Sequence, residues 1–205
     1  MGFYREKILP RFLHRGLAAE RHERYRAQAV AAARGRVLEL GFGSGLNLKH
    51  LPADVTHVTG IEPNPGMRKI AVKLAHEYAF PVTLLDMDAQ QLGFDDGEFD
   101  TVLSTWTMCS IPDLPRALAE AKRVLRRDGD LLFIEHGLAS DRGVQKWQRR
   151  LTPVSKMLFD GCHTDRMISD FVRDAGFELV QLENFYAVGM PKSGGYMYMG
   201  RARKS

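Results

Sequence analysis

The sequence predicts a single α/β domain in which a mostly parallel, seven-stranded sheet is covered by helices on both faces. Three observations predict it. Strand-like and helix-like segments alternate from about residue 36 onward. The first apolar run, Val37-Leu38-Glu39-Leu40, ends in a glycine turn, Gly41-Phe42-Gly43-Ser44-Gly45, that leads on into a helix. A chain of 205 residues suffices for one such core and leaves no room for a second domain of ordinary size.

The elements follow in order. Residues 1–35 form an N-terminal amphipathic helical segment, with Ile8, Leu9, Phe12, Leu13 and Leu17 at helical spacing and Pro10 tolerable in a first turn. Residues 36–205 form the sheet domain, with strands at 36–40, 56–61, 82–85, 99–104, 130–135, 177–184 and 196–202. Pro63, Asn64 and Pro65 stop the second strand and start a helix at Gly66 to Met67. Leu179, Val180 and Leu182, then Tyr196-Met197-Tyr198-Met199 after Gly195, predict a hairpin-like ending.

The glycine turn reads Glu-x-Gly-x-Gly-x-Gly, from Glu39 to Gly45. A dinucleotide fingerprint wants its third glycine three residues after the second, and a phosphate loop ends in Gly-Lys-Ser/Thr; Gly45 is followed by Leu46 and Asn47. Glycines at 41 and 43 let a ligand approach the backbone, while the acid at 39 suits a ligand carrying cationic groups. S-adenosylmethionine, with its ammonium and sulfonium, is such a ligand. Glu62 ends the second strand 17 residues past Gly45, where an acid can accept both ribose hydroxyls. After the third strand, Asp86 and Asp88 share one side of an extended chain. Position favours Asp88, followed by Ala89, for the edge of an adenine. Either acid could instead cap a helix.

These residues together resemble the class I S-adenosylmethionine-dependent methyltransferases over roughly residues 36 to 202. Glu39 to Gly45 resembles the family's first motif, Glu62 its ribose-binding acid and Asp88-Ala89 its adenine-edge pair. Asp95-Asp96-Gly97-Glu98-Phe99-Asp100-Thr101-Val102 resembles the loop and fourth strand of the small-molecule, type 11 branch. Val124-Leu125-Arg126-Arg127-Asp128-Gly129-Asp130 resembles its Leu-Arg-Pro-Gly-Gly turn, with Asp128 and Asp130 as departures expected to lie in a surface turn. Thr107-Met108-Cys109-Ser110-Ile111, Glu135-His136-Gly137 and Phe159 to Arg166 are similar to the methyltransferase-like thiol methyltransferases, small enzymes of animal membranes. The resemblance implies a Rossmann-like fold whose last strand is inserted antiparallel between its predecessors. It also implies S-adenosyl-L-methionine as cofactor, S-adenosyl-L-homocysteine as product, and thiol S-methylation as the leading activity. Phospholipid or quinone-precursor methylation at a membrane surface, and a non-catalytic S-adenosylmethionine-binding protein, are the alternatives.

Methyl transfer is a displacement at a sulfonium carbon, so the protein mainly aligns the acceptor and removes a proton where there is one. His136, at the end of the fifth strand, is the first candidate for this, and His163, beside Cys162 and Asp160, the second. Thr105 and Trp106 end the fourth strand, where a backbone carbonyl can hold the cofactor's amino group and an indole can wall the pocket. Cys109 reads as a small buried hydrophobe. The two cysteines follow no zinc or Cys-x-x-Cys spacing, so no metal is expected.

Charge limits the partners. Nine basic against three acidic residues give residues 1–36 a charge of +6, whereas the chain as a whole is +4, leaving −2 elsewhere. A basic excess confined to one segment without a recognition motif argues against nucleic acid. The basic helices are expected to close over a small-molecule methyl acceptor as a lid, with a peripheral membrane contact through residues 3–18 as the competing use. Two cysteines, no secretory signal and no apolar run of membrane-spanning length point to the cytoplasm.

Overall fold

A computed structural model describes residues 3–78 and 80–204. Seven strands form one sheet: β1 (Gly35–Leu40), β2 (Val55–Ile61), β3 (Val82–Leu85), β4 (Phe99–Thr105), β5 (Leu125–His136), β6 (Phe177–Tyr186) and β7 (Tyr196–Lys204). Their order is β3-β2-β1-β4-β5-β7-β6. Parallel pairing holds from β3 to β5, and β7 runs antiparallel between β5 and β6, as the resemblance implies. The order reverses at β1 and β4, which opens a crevice beyond the carboxyl ends of these two strands.

Both faces of the sheet are covered, which is why the central strands read as unbroken apolar runs. On one face Leu38, Leu40, Val102 and Phe133 pack with Leu114, Leu118 and Ala121 of α4 (Leu114–Val124) and with Val172 of α6 (Ile168–Asp174). On the other, Val37, Val58, Leu103 and Leu132 meet Val30 at the end of α2 (Glu20–Val30) and Ala71 of α3 (Pro65–Ala75). Asn64 caps α3 by accepting from the Gly66 and Met67 N–H groups, and Asp113 caps α4 by accepting from Arg116 N–H. Ahead of the sheet, a π-helical stretch (Tyr4–Ile8) runs into α1 (Leu9–Leu17).

Two expectations need correction. The glycine turn does not enter a helix; it passes into a single 3-10 turn, Leu48–His50. Pro52 restrains the residue before it to extended backbone, and Leu51 sits at φ −66°, ψ 133°. Nor does Asp130 occupy a surface turn. β5 begins at Leu125, its register against β4 jumps between Phe99 and Thr101, and Asp130 becomes a wholly buried strand residue facing Arg203 on β7. Arg201 grips its carboxylate through Nε and Nη2, both at 2.8 Å, and Arg203 Nε adds a contact at 3.3 Å. The departure from glycine thus carries an ion cluster that ties the inserted strand to the parallel sheet.

Asp130→Ala should therefore cost about 1.5–3 kcal/mol, because it removes the charge-assisted hydrogen bonds that Arg201 and Arg203, themselves partly exposed, make to it. Urea unfolding should show this as a lower midpoint at unchanged slope; a midpoint within error of the parent would mean that the cluster does not hold β7.

Candidate active site

The crevice at the carboxyl end of the sheet is a cavity of about 970 Å³. Its floor comes from Gly41, Gly43, Glu62, Asp88, Ala89 and Thr105, and its cover from the N-terminal helices through Leu9, Phe12, Leu13, Leu17 and His22. His14 Nδ1 lies 2.8 Å from Ser44 Oγ, which fastens α1 to the glycine turn. The N-terminal segment thus lines the cavity with its apolar residues.

Gly41 and Gly43 both have left-handed backbone, φ 63° and 59°. A Cβ at Gly41 would collide with the side chain of Thr107, whereas one at Gly43 would meet nothing closer than Met67 Cε at 3.4 Å. Gly43 therefore borders open space, and its conformation alone calls for glycine. Gly45, φ 83°, is a turn residue whose added Cβ would press on Phe42; among the described residues it does not line the cavity.

Glu39 is 2 % exposed. Its Oε1 accepts from Asn47 Nδ2 at 2.6 Å; the same amide nitrogen donates to Thr105 Oγ1 at 3.0 Å. Asn47 Oδ1 accepts from Arg26 Nη1 at 2.8 Å, and Arg26 also reaches Thr105 Oγ1 at 3.3 Å. Burial pushes the Glu39 carboxyl up to about 8 and lowers the Arg26 guanidinium to about 10. Four buried polar atoms around this network make no hydrogen bond within the protein: Glu39 Oε2, Arg26 Nε, His22 Nδ1 and Trp106 Nε1. One is an acceptor on a carboxyl group, and two are fixed donors on arginine and tryptophan. An ammonium group suits the first and a carboxylate the others, so the residues present fit the amino-acid end of S-adenosylmethionine.

Glu62, 8 % exposed, accepts from Gly43 N–H at 2.9 Å and from Asn64 N–H at 2.8 Å, one bond to each oxygen. Burial raises its carboxyl above the usual range, and these two backbone bonds pull the other way. The second lone pair on each oxygen remains for a ligand. Asp86 pairs with Arg68 Nη2 at 2.7 Å, whereas Asp88 lines the cavity and accepts from the Gln90 N–H at 2.9 Å. Asp88 opens a turn, closed by the Gln91 N–H on its carbonyl at 3.0 Å, rather than capping a helix.

Trp106, His22, His136 and the two cysteines line another part of the cavity. Trp106 has left-handed backbone, φ 52°, with Arg26 stacked over its indole at 4.8 Å and the His22 ring edge-on at 5.3 Å. Burial first, then Arg21 and Arg26, lower His22 to about 4, so it is neutral. His136 ends β5, and its Nδ1 lies 4.0 Å from Cys109 Sγ. Cys162 Sγ lies 3.5 Å from Cys109 Sγ. All three side chains line the cavity, so residues that no spacing connected meet there. The hydrogen bond between the sulfurs holds the Cys109 thiol well above the usual thiol range and draws that of Cys162 down, with His136 adding to the latter. The His163 side chain is outside the cavity lining, at 3.6 Å from Asp165, while its N–H donates to the Cys109 carbonyl at 2.8 Å.

Sequence reasoning missed His22, Arg26 and Asn47. The first two are four apart on α2, on the face that buries Tyr25 and Ala29, a pattern that separates them from the exposed arginines.

A family model described as a methyltransferase domain matches residues 38–133. Thiol S-methyltransferase TMT1B of Rattus norvegicus is 35% identical over 154 residues, 72% of this chain and 62% of the rat protein. The chain thus spans somewhat under two thirds of that relative. Phosphatidylethanolamine N-methyltransferase of Cereibacter sphaeroides is 34% identical over 169 residues, 81% of each chain. In fold, the chain matches a solved S-adenosylmethionine-dependent methyltransferase from Aquifex aeolicus with a TM-score of 0.69 at 16% identity, over 97% of this chain and 100% of that one.

Because folding disfavours the ionised form of Glu39, this group keeps its proton in the folded protein between about pH 4.5 and about pH 8, where the unfolded chain has lost it; His22 and Cys162 act in the opposite sense. Glu39's contribution to ligand-free stability should fall as pH rises across that window, by on the order of 5 kcal/mol, so the parent should lose stability relative to Glu39→Gln over it. Denaturation midpoints across the window check this; parallel profiles for parent and variant would contradict it.

Proposed function

The chain belongs to the class I S-adenosylmethionine-dependent methyltransferases, and from that premise we propose that it transfers the cofactor's methyl group to the sulfur of a small apolar thiol. The observation that carries this reading is a single cavity bounded on one side by the glycine turn, Glu62 and Asp88 and on the other by His136, Cys109 and Cys162. The relationship to thiol S-methyltransferases supports the same acceptor.

In this reading the bound cofactor supplies an electrophilic methyl group on a sulfonium. Glu62 accepts from the ribose hydroxyls with the lone pairs that Gly43 and Asn64 leave free. Asp88 and Ala89 meet the adenine edge, and Glu39 accepts from the ammonium. The turn at Gly43 admits the cofactor close to the backbone, Gly41 makes room for Thr107, Gly45 shapes the turn, and Thr105 both lines the site and anchors Arg26. His136 faces the acceptor and orients or deprotonates it. His163 serves by tying its loop to Cys109 and is not a base in this reading. Phe12, Leu13 and Ile111 give the acceptor an apolar surround that excludes water and shortens its approach to the methyl.

A second reading, a phospholipid acceptor at a membrane surface, is favoured by one feature. Phe3, Ile8 and Phe12 of the N-terminal segment are exposed beside α5 (Arg142–Leu158), which exposes Trp147, Leu151, Val154 and Met157. Arg11, Arg15, Arg150 and Lys156 flank them, as on a helix pair resting on anionic lipid. No described helix is long and apolar enough to cross a membrane. Residues 3–18 would then be both lid and lipid contact.

Glu62→Ala should weaken cofactor binding roughly 10- to 150-fold, with Glu62→Gln intermediate, as expected for lost charge-assisted hydrogen bonds. Calorimetry reads this directly, and unchanged affinity would remove Glu62 from the ribose site. With labelled cofactor, small alkyl and aryl thiols should become methylated while phosphatidylethanolamine vesicles do not. Labelling of the lipid and not of the thiols would transfer the assignment to the second reading.

A further inference from the structure

Cys109, His136 and Cys162 come from three separate elements: the turn after β4, the last residue of β5 and the loop after α5. Their ligand atoms all lie within 4.8 Å of one another, with Sγ to Sγ at 3.5 Å and Cys109 Sγ to His136 Nδ1 at 4.0 Å. A tetrahedral zinc ion, with sulfur at about 2.3 Å and nitrogen at about 2.0–2.1 Å, sets its ligands about 3.8 Å apart for two sulfurs and about 3.5 Å apart for sulfur and nitrogen. The side chains therefore already span a metal-sized hole. A disulfide would need the sulfurs to close to about 2.05 Å, and both cysteines are free.

The frame around the three is fixed. The Cys109 carbonyl accepts from His163 N–H at 2.8 Å, and the Cys109 N–H donates to the buried Glu135 carboxylate at 3.3 Å. Gly161 and Asp160 turn the loop through left-handed backbone, φ 89° and 51°, to present Cys162. Arg166 Nη1 holds the opposite turn by donating to the Met108 and Ile111 carbonyls at 2.6 and 2.7 Å. Soft thiolate ligands with one imidazole select zinc-like ions over calcium or magnesium. Three protein ligands with an open fourth position is the arrangement of catalytic rather than structural zinc, and all three residues border the cavity.

We propose that Cys109, His136 and Cys162 form a mononuclear site for a thiophilic divalent cation, zinc in type, whose fourth position opens into the cavity and takes the acceptor's sulfur. The site rests on the ligand geometry; its use for the acceptor rests on the thiol reading above. Uptake of the cation releases the two cysteine protons to solvent. An acceptor thiol then replaces water at the fourth position and gives its proton to bulk water. In transfer, a bond forms between the acceptor sulfur and the methyl carbon. The sulfonium carbon–sulfur bond breaks with its electron pair staying on the cofactor's sulfur. The product thioether is neutral, binds the cation weakly and leaves. His136 in this scheme orients the acceptor as a ligand.

The test is a Co²⁺ titration of the reduced, full-length chain without cofactor. One equivalent should bind with thiolate-to-cobalt charge-transfer absorption and the intense visible bands of tetrahedral cobalt, and zinc should displace it. Cys109→Ala and Cys162→Ala should each abolish the charge-transfer signal and His136→Ala should weaken binding at least tenfold, with circular dichroism reporting whether each variant is folded. Absence of stoichiometric binding by the folded parent protein, or an unchanged spectrum in folded Cys162→Ala, overturns the site. Ethanethiol added to the cobalt-loaded protein should shift the visible bands. Cobalt bound without any response to ethanethiol leaves the site standing and overturns its use for the acceptor, whereas S-methylation by a protein that binds no cobalt overturns the site and leaves the thiol reading intact.

Discussion

A carboxyl group buried at the end of the central strand is the constraint around which the site is organised. Glu39 cannot be solvated where it stands, and burial lifts its carboxyl to about 8. Asn47 satisfies one oxygen, Thr105 locks Asn47, and Arg26 comes down from the N-terminal helices to complete the set. The N-terminal helices are thereby bonded to the sheet through Arg26, Asn47 and Thr105.

The sheet itself was largely legible. Apolar runs ending in acids or glycines marked β1, β2 and β3, because strands buried on both faces leave little else to read. The β6–β7 hairpin was readable, but the insertion of β7 between β5 and β6 came from resemblance, since its other partner, β5, lies far back in the chain. Local chemistry misled at two places. The glycine turn resembled a helix entry, yet Pro52 leaves only one 3-10 turn between it and β2. Asp130 resembled a turn residue because aspartate beside glycine usually is one. Its burial depends on Arg201 and Arg203, which are 71 and 73 residues away in the chain.

The candidate site divides along the same line. Gly41, Gly43, Glu62, Asp88 and Ala89 follow strand ends, so their positions relative to the crevice were readable from spacing alone, whereas Glu39, the residue before the last of β1, stands behind the cavity lining. His22 and Arg26 were hidden because an arginine-rich helix ordinarily turns its charges to water. Only the tertiary fold shows that these two cross Trp106 instead. The meeting of Cys109, His136 and Cys162 was invisible for a related reason: each follows a different element, and no short spacing connects them. His163, adjacent to Cys162, was the second candidate after His136 in sequence, but the left-handed turn at Asp160 and Gly161 presents the cysteine to the cavity while the His163 side chain lies by Asp165.

The most direct measurement of the central claim is a calorimetric titration of the folded protein with S-adenosylmethionine and S-adenosylhomocysteine, with NAD as control. Binding of the first two at one site per chain, with micromolar affinity and no response to NAD, is the predicted result. Failure of both to bind to protein shown to be folded, or equal binding of NAD, would contradict the account and leave the glycine turn as architecture.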